Sequence, residues 1–337
     1  MNRILKIWDW TFTKTNINRN HFPLADSRTP APKINTSHWL IVLVGPTGIG
    51  KTDLAIRLAQ HFDSVIISGD SRQIFRELNI GTAKPTPGQL ARAKHYLIGS
   101  HSISDYYSAW QFEQDVLELA NGLFPVYNPL ILTGGSMMYI DALCNGIDEI
   151  PTIDQELRNN LIKQYRTEGI DPIRRLLKQL DPEFYGIIDL KNEKRIIHAV
   201  EICLMTGRPY SGLRTHTKRQ RPFSIVKIGL DMEREDLYNR INQRVDMMIE
   251  EGLIEEAKNL YHLKSLNSLN TVGYKEIFDY LDGNTTLGEA TELIKRNSRR
   301  YAKRQLSWFR RDAQTAWFHP SEFELIVNFV ESTIENT

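Results

Sequence analysis

Cysteine is nearly absent: the 337 residues contain two, Cys144 and Cys203. Both sit in apolar stretches of helical spacing and belong to no pairing motif, which argues against a disulfide framework and fits a reduced compartment. Nine histidines form no H-x-x-x-H or Cys/His cluster, so no structural metal is expected. No apolar run approaches the roughly 18 residues that a membrane span needs. A bulk charge of one sign is also lacking, because 42 basic residues meet 41 acidic ones for a net of +1. Net charge alone therefore points to no polyanion. The first ten residues carry apolar side chains, but Lys6 and Asp9 interrupt them and no small-residue cleavage site follows, which argues against a signal peptide. Asn16 to Thr36 is polar and contains proline, so residues 1–37 read as a loose extension or an over-early start. A cytoplasmic protein is expected.

What is present begins at Trp39. An apolar run through Val44 reads as a buried strand and breaks into Gly45, Pro46, Thr47, Gly48, Ile49, Gly50, Lys51 and Thr52. The spacing G-x-x-x-x-G-K-T, between a strand and the amphipathic stretch of Leu54, Ile56 and Leu58, is the context of a phosphate-binding loop. Its glycines let several N–H groups converge, and the helix start adds positive potential. Lys51 brings a full charge to outer phosphate oxygens, and Thr52 is placed to hold Mg2+.

Ser64 to Ser68 is a second strand candidate, and it leads into Asp70. Functional groups in open α/β sheets gather at the carboxyl ends of strands. Catalysis, substrate contact, a helix N-cap or an outer contact to magnesium all suit an Asp there. Asn79 to Gly88 is rich in turn residues, and His95 to Ile98 is a short strand. Ser108 to Leu119 has helical spacing. Leu130 to Thr133 is another core strand, followed by Gly134, Gly135 and Ser136, which repeat the strand–glycine–hydroxyl–helix order on a smaller scale. Ser136 suits either a helix cap or a site role.

Asp154 to Glu168, Asp171 to Leu180 and Asn192 to Thr206 read as helices, with Asp-Pro caps at Asp171 and Asp181. Three helices without a strand form an insertion, residues 151–206. Arg214 to Arg221 is basic, a pattern that is commonly just solvated. Phe223 to Leu230 returns to strand, and helices follow over Glu233 to Glu251 and Leu253 to Leu263, with Arg240 and Arg244 on one face. These spans predict an α/β fold, a P-loop NTPase-like parallel sheet flanked by helices, in residues 38–150 and 207–330. Lys295 to Arg311 holds eight basic residues and no acidic one, so with +1 overall the remainder carries −7. Cations of a single sign interleaved with Tyr301, Trp308 and Phe309 fit a polyanion surface, and nucleic acid in particular.

Together these segments resemble the tRNA dimethylallyltransferases. The resemblance runs from about Leu40 to Phe318 and rests on the P-loop, Ser68 to Ser71, Asn79 to Pro85, Gly134 to Tyr139, Arg240 to Arg244, Thr271 to Lys275 and Ala302 to Arg310. It implies transfer of a dimethylallyl group from dimethylallyl diphosphate to N6 of the adenosine just 3′ of the tRNA anticodon. The P-loop would then hold a diphosphate leaving group. By this resemblance Asp70 is the catalytic base, Arg240 lies at the diphosphate, and Ser136 stands where the family usually has Thr. The tRNA anticodon stem-loop would be met by Asp70, Ser71, Arg72, Gln73 and Ser136, and by Arg158, Lys194, Arg195, Ile196, Ile197 and His198. Asn270, Thr271, Val272, Gly273, Tyr274 and Lys275 belong to the same set, and Arg300 and Arg304 lie on the cationic helix that would line the tunnel or phosphate track. Lys194 and His198 depart from the usual Gln and Arg. The expected protein is a monomer with no membrane partner, and the sequence shows no zinc-finger pattern of the kind some eukaryotic relatives carry.

Three alternatives share parts of this pattern. A P-loop small-molecule or nucleotide kinase would share the first motif, but Gly81 to Pro85 has one basic residue where an arginine-bearing lid is usual. A prenyltransferase acting on free AMP would need neither the insertion nor the cationic helix. An RNA-binding module with a vestigial loop would not need the intact Gly-Lys-Thr.

Overall fold

The computed structural model describes residues 37–148, 154–214 and 218–336. Residues 1–36 of the N-terminal extension, the start of the insertion at 151–153 and residues 215–217 of the basic loop lie outside that set. The core begins with β1 (Trp39–Val44) and α1 (Lys51–His61), then β2 (Ile66–Ser68), α2 (Pro87–Arg92), β3 (His95–Tyr96) and α3 (Ala109–Leu123). β4 (Leu130–Gly134) and α4 (Met137–Asn145) complete the first half. A helical excursion follows: α5 (Gln155–Glu168), α6 (Asp171–Leu180), α7 (Pro182–Ile187), α8 (Glu193–Thr206) and α9 (Tyr210–Leu213). The chain returns through β5 (Ser224–Leu230), α10 (Arg234–Glu250), α11 (Leu253–Leu260), α12 (Tyr274–Leu281), α13 (Leu287–Phe309), β6 (Thr315–Phe318) and α14 (Phe323–Glu335).

The six strands form one sheet in the order β3-β2-β4-β1-β5-β6, with every pairing parallel. A parallel sheet needs helical cover on both faces, so its central strands are apolar throughout. β1 shows this, since all six of its residues are buried. Ile41 and Leu43 pack with α1, α10 and α14, while Leu40, Val42 and Val44 pack with α3 and α4. Capping boxes start α3 at Ser108 and Gln111 and α13 at Thr286 and Glu289. Each pairs two otherwise orphaned backbone donors.

Two smaller cores lie beside the sheet. Leu161, Ile173, Leu177, Phe184, Ile196 and Val200 gather within α5 to α8. Ile74, Phe75, Leu78 and Ile103 pack on Val245, Leu253, Tyr274, Ile277 and Ile294 from α10 to α13. The structure also corrects several local expectations. The excursion has a further helix, α7, which Asp181 caps by accepting from the Phe184 amide at 2.9 Å. Asp171 lies inside α6 and pairs with Arg174 at 2.7 Å instead of capping. The basic loop is not merely solvated. Arg221 is buried, pairs with buried Glu113 at 2.6 Å, and donates to the Leu143 and Ala142 carbonyls at the end of α4.

Candidate active site

The carboxyl ends of β1, β2 and β4 meet at the P-loop. Gly45, Gly48 and Gly50 have φ of +152°, +83° and +102°, a region that L side chains disfavour. Thr47, Gly48, Gly50, Lys51 and Thr52 border a cavity of about 800 Å³, joined by Asp70, Gln73, Gly134, Gly135, Arg240 and Arg244. Ile49 points into the core, so it contributes backbone alone. The Lys51 ammonium donates to the Gly45 and Pro46 carbonyls at 3.0 and 2.8 Å. Burial pushes it down to about 7, helped by Arg244 and opposed by Asp70. An anion beside it would reverse that shift.

Asp70 follows β2. Its Oδ1 accepts from the Arg72 and Gln73 amides at 2.8 and 3.2 Å, a turn that fixes the carboxylate, while no described residue donates to Oδ2. The cap-like role and the open oxygen thus coexist. Ser136 occupies the N-cap position of α4 without capping it. Its hydroxyl accepts from the Ser71 amide at 2.7 Å and donates to the Ser71 hydroxyl at 3.0 Å.

A second cavity of about 520 Å³ adjoins the first, with Thr47, Asp70, Thr82, Arg244, Met248 and Tyr301 bordering both. Its own lining includes Ser71, Arg72, Ser136, Asn270, Thr271, Val272, Gly273, Lys275, Arg300 and Arg304. Burial pulls the Arg72 and Arg244 guanidinium groups below their usual range, which marks them as cations with little solvent. Burial likewise raises the Tyr301 phenol to about 12.

Other expected residues fall elsewhere. Tyr274 is fully buried, with its hydroxyl donating to Glu256 at 2.5 Å, so its side chain does not reach a cavity. Ile196 and Ile197 belong to the core of the α5–α8 bundle, and their side chains are likewise spent. Arg158 grips buried Glu201 with two bonds of 2.7 Å. His198 sits edge-on to Tyr210, with its Nδ1 3.6 Å from Glu201. Arg158 and residues 194–198 therefore stand on the bundle and line neither cavity.

The cationic run splits by helix face. Lys295 pairs with Asp246 at 2.7 Å, Arg299 donates to Asn242 at 2.5 Å, and Arg310 pairs with Asp231. Trp308 donates to Asp141 at 3.0 Å and carries the Arg311 guanidinium 3.7 Å from its ring centroid, while Phe309 is buried in the core and presents no face to a base. Arg300, Tyr301 and Arg304 face the second cavity.

Two residues with no site role in the sequence reading also stand here. Arg244 lies on the wall between the cavities, its guanidinium 3.4 Å from the Thr47 hydroxyl and 3.5 Å from the Ala83 carbonyl. Its spacing from Arg240 was the available signal. Gln305, a neutral amide among the cations, is buried; it accepts from the Thr47 amide at 2.9 Å and donates to the Gly135 carbonyl at 2.8 Å. It ties the P-loop to the second glycine turn.

The IPP transferase family model matches residues 73–312. The tRNA dimethylallyltransferase 1 of Bacteroides fragilis is 54% identical over 300 residues, covering 89% of this chain and 100% of that one. The tRNA dimethylallyltransferase 2 of Parabacteroides distasonis is 55% identical over 295 residues, covering 88% and 99%. Among solved structures, the tRNA isopentenylpyrophosphate transferase of Bacillus halodurans aligns with TM-score 0.64 and 38% identity, over 88% of this chain and 97% of that one. Sequence and fold are thus shared with enzymes of one kind, and this chain belongs to the IPP transferase family.

Proposed function

We propose that this chain transfers a dimethylallyl group from dimethylallyl diphosphate to N6 of the adenosine just 3′ of the tRNA anticodon, releasing diphosphate. The observation that carries this reading is the place of Asp70 on the wall common to both cavities. A donor seated at the P-loop and a base entering from the cationic side would meet at that carboxylate. As the N6–C bond forms and the C–O bond breaks, the electron pair of the C–O bond leaves with diphosphate and the N6 proton passes to Asp70. Lys51, Arg240, Arg244 and the loop amides face the charge that develops on the leaving oxygens. Ser136 holds the turn at Ser71, and so acts on the orientation of Asp70.

Magnesium suits the donor set. Thr52 borders the first cavity, and among the described residues no group of three or more His, Cys, Asp or Glu is placed to hold a metal. Thr52 and diphosphate oxygens would hold the ion, which when bound supplies further positive charge to the leaving group.

The target base must be extruded from the anticodon loop at a cost of about a few kcal/mol, offset by phosphate and base contacts. Arg72, Lys275, Arg300 and Arg304 supply cations around the second cavity. The bundle, through Arg158, Lys194 and Arg195, would clasp the stem-loop as a separate helical unit, with the chain acting as a cytoplasmic monomer. Among the described residues no helix is long and apolar enough to cross a membrane. The kinase alternative is not favoured, since the relatives are transferases of tRNA. Incubation with labelled dimethylallyl diphosphate and unmodified tRNA is expected to label tRNA. Label in AMP alone, or phosphate transfer from ATP, would overturn the reading.

A further inference from the structure

Glu256, on α11, lines neither cavity, yet its carboxylate gathers four donors. The amides of Asn79, Ile80 and Gly81 reach it at 3.1, 2.9 and 3.0 Å, and the Tyr274 hydroxyl at 2.5 Å. Charge-assisted bonds of this kind are roughly twice as strong as neutral ones. The contact is also a close steric fit, because a Cβ on Gly81 would stand 2.6 Å from the Tyr274 ring. Only glycine lets the loop lie against that ring.

One of the two segments joined here borders both cavities, since Gly81 and Thr82 also reach the cationic one, and the other borders the cationic cavity alone. Asn79, Ile80 and Thr82 to Pro87 wall the cavity at the P-loop. Asn270 to Gly273 and Lys275, on either side of buried Tyr274, wall the cationic cavity. Beyond Gly81 the loop carbonyls continue the chain of contacts. Gln73 donates to the Thr82 and Ala83 carbonyls at 3.1 Å each, and Arg244 lies 3.5 Å from the Ala83 carbonyl. A shift of residues 79–83 would therefore move the groups flanking Asp70.

We propose that Glu256 and Tyr274 are positioning residues that rivet the wall of the donor cavity to the wall of the tRNA cavity, so that one carboxylate sets the geometry of both substrate sites. This rests on the transfer reading above. Tyr274 thus acts from behind the cavity wall, by holding Glu256 and the loop.

The test compares Glu256→Gln and Tyr274→Phe with the unaltered protein. The Gln amide offers one acceptor oxygen and sets an NH2 group against backbone donors, whereas Phe removes a single donor. Amide exchange in a peptide spanning residues 78–84 is expected to accelerate by about tenfold in Glu256→Gln and less in Tyr274→Phe. KM for tRNA and KM for dimethylallyl diphosphate are expected to rise together, by about tenfold for Glu256→Gln and severalfold for Tyr274→Phe. Unchanged values of both KM, or a rise in only one, would overturn the inference, even with a lowered Tm. If Glu256→Gln does not fold, Tyr274→Phe alone decides, since it deletes one oxygen. An unaltered protein that leaves tRNA unlabelled would instead defeat the transfer reading, and the exchange result would still report on the rivet.

Discussion

Two glycine turns stand at the ends of the neighbouring strands β1 and β4, and they use glycine for different reasons. In the first, Gly45, Gly48 and Gly50 adopt positive φ, so the requirement is conformational, and the backbone curls around a cavity. In the second, Gly134 and Gly135 have no such φ. A Cβ on Gly134 would instead fall inside the contact shell of the Gly69 carbonyl, and one on Gly135 would meet the Gln305 amide. The requirement there is room. Gly69 donates to the Thr133 carbonyl at 2.7 Å, and its own carbonyl accepts from Ser136 at 3.3 Å, which seats the turn carrying Asp70. In the proposed reaction one turn grips the donor and the other places the base. On that proposal, similar spelling, strand–glycine–hydroxyl–helix, encodes a binding loop in one case and a mount in the other.

Substitutions at the two turns should separate these roles. The largest effect is expected at the mounted group itself: Asp70→Ala should lower the rate of transfer by about 10²-fold or more while tRNA affinity holds, as single-turnover assays and filter binding would read. Lys51→Ala should weaken diphosphate binding by about tenfold or more in calorimetry, with the fold intact. Equal affinity would remove the distinction between the turns. Gly134→Ala should lower Tm and kcat together, because overpacking costs about 1–3 kcal/mol and the Asp70 turn must move with Gly69.

Lys51 also predicts a pH dependence. Its pKa in the folded chain, about 7, lies below the unfolded value of 10.5, so the unfolded state binds more protons between those limits. The burden of the buried charge is complete below about pH 7 and disappears as pH rises towards 10.5. Lys51→Met should therefore raise Tm near pH 6.5, with a shrinking difference near pH 10. The smallest effect is expected on salt dependence. Neutralising Arg300 and Arg304 should flatten the slope of log affinity for tRNA against log salt by roughly 0.7 for each phosphate that then keeps its counterion.

Much of the α/β core was legible because its signals are local. A strand buried on both faces must be apolar throughout, as β1 is, and phosphate binding needs glycine, lysine and a hydroxyl at fixed offsets. β2 and β3 proved shorter than expected, and β3 stops where Leu97 takes a φ of +60°, a conformation that no residue-by-residue rule anticipates for leucine. The cationic run was legible as composition, but not in its division. Helical periodicity places Lys295, Arg299 and Arg310 apart from Arg300 and Arg304, while the partners that engage the first group come from α10 and from just past the end of β5.

Buried polar residues were the least readable part. Tyr274 and Glu256 lie 18 residues apart, and Gln305 meets Thr47 across 258. Neither spacing carries a pattern, because a hydrogen bond between distant elements depends on how those elements pack. By itself the sequence determined five of the strands, the P-loop and the residue types a prenyl transfer would need, but not β6. Only the tertiary structure decided which of them share a wall. Side-chain chemistry is written residue by residue, whereas adjacency arises when sheet and helices bury their apolar faces against each other.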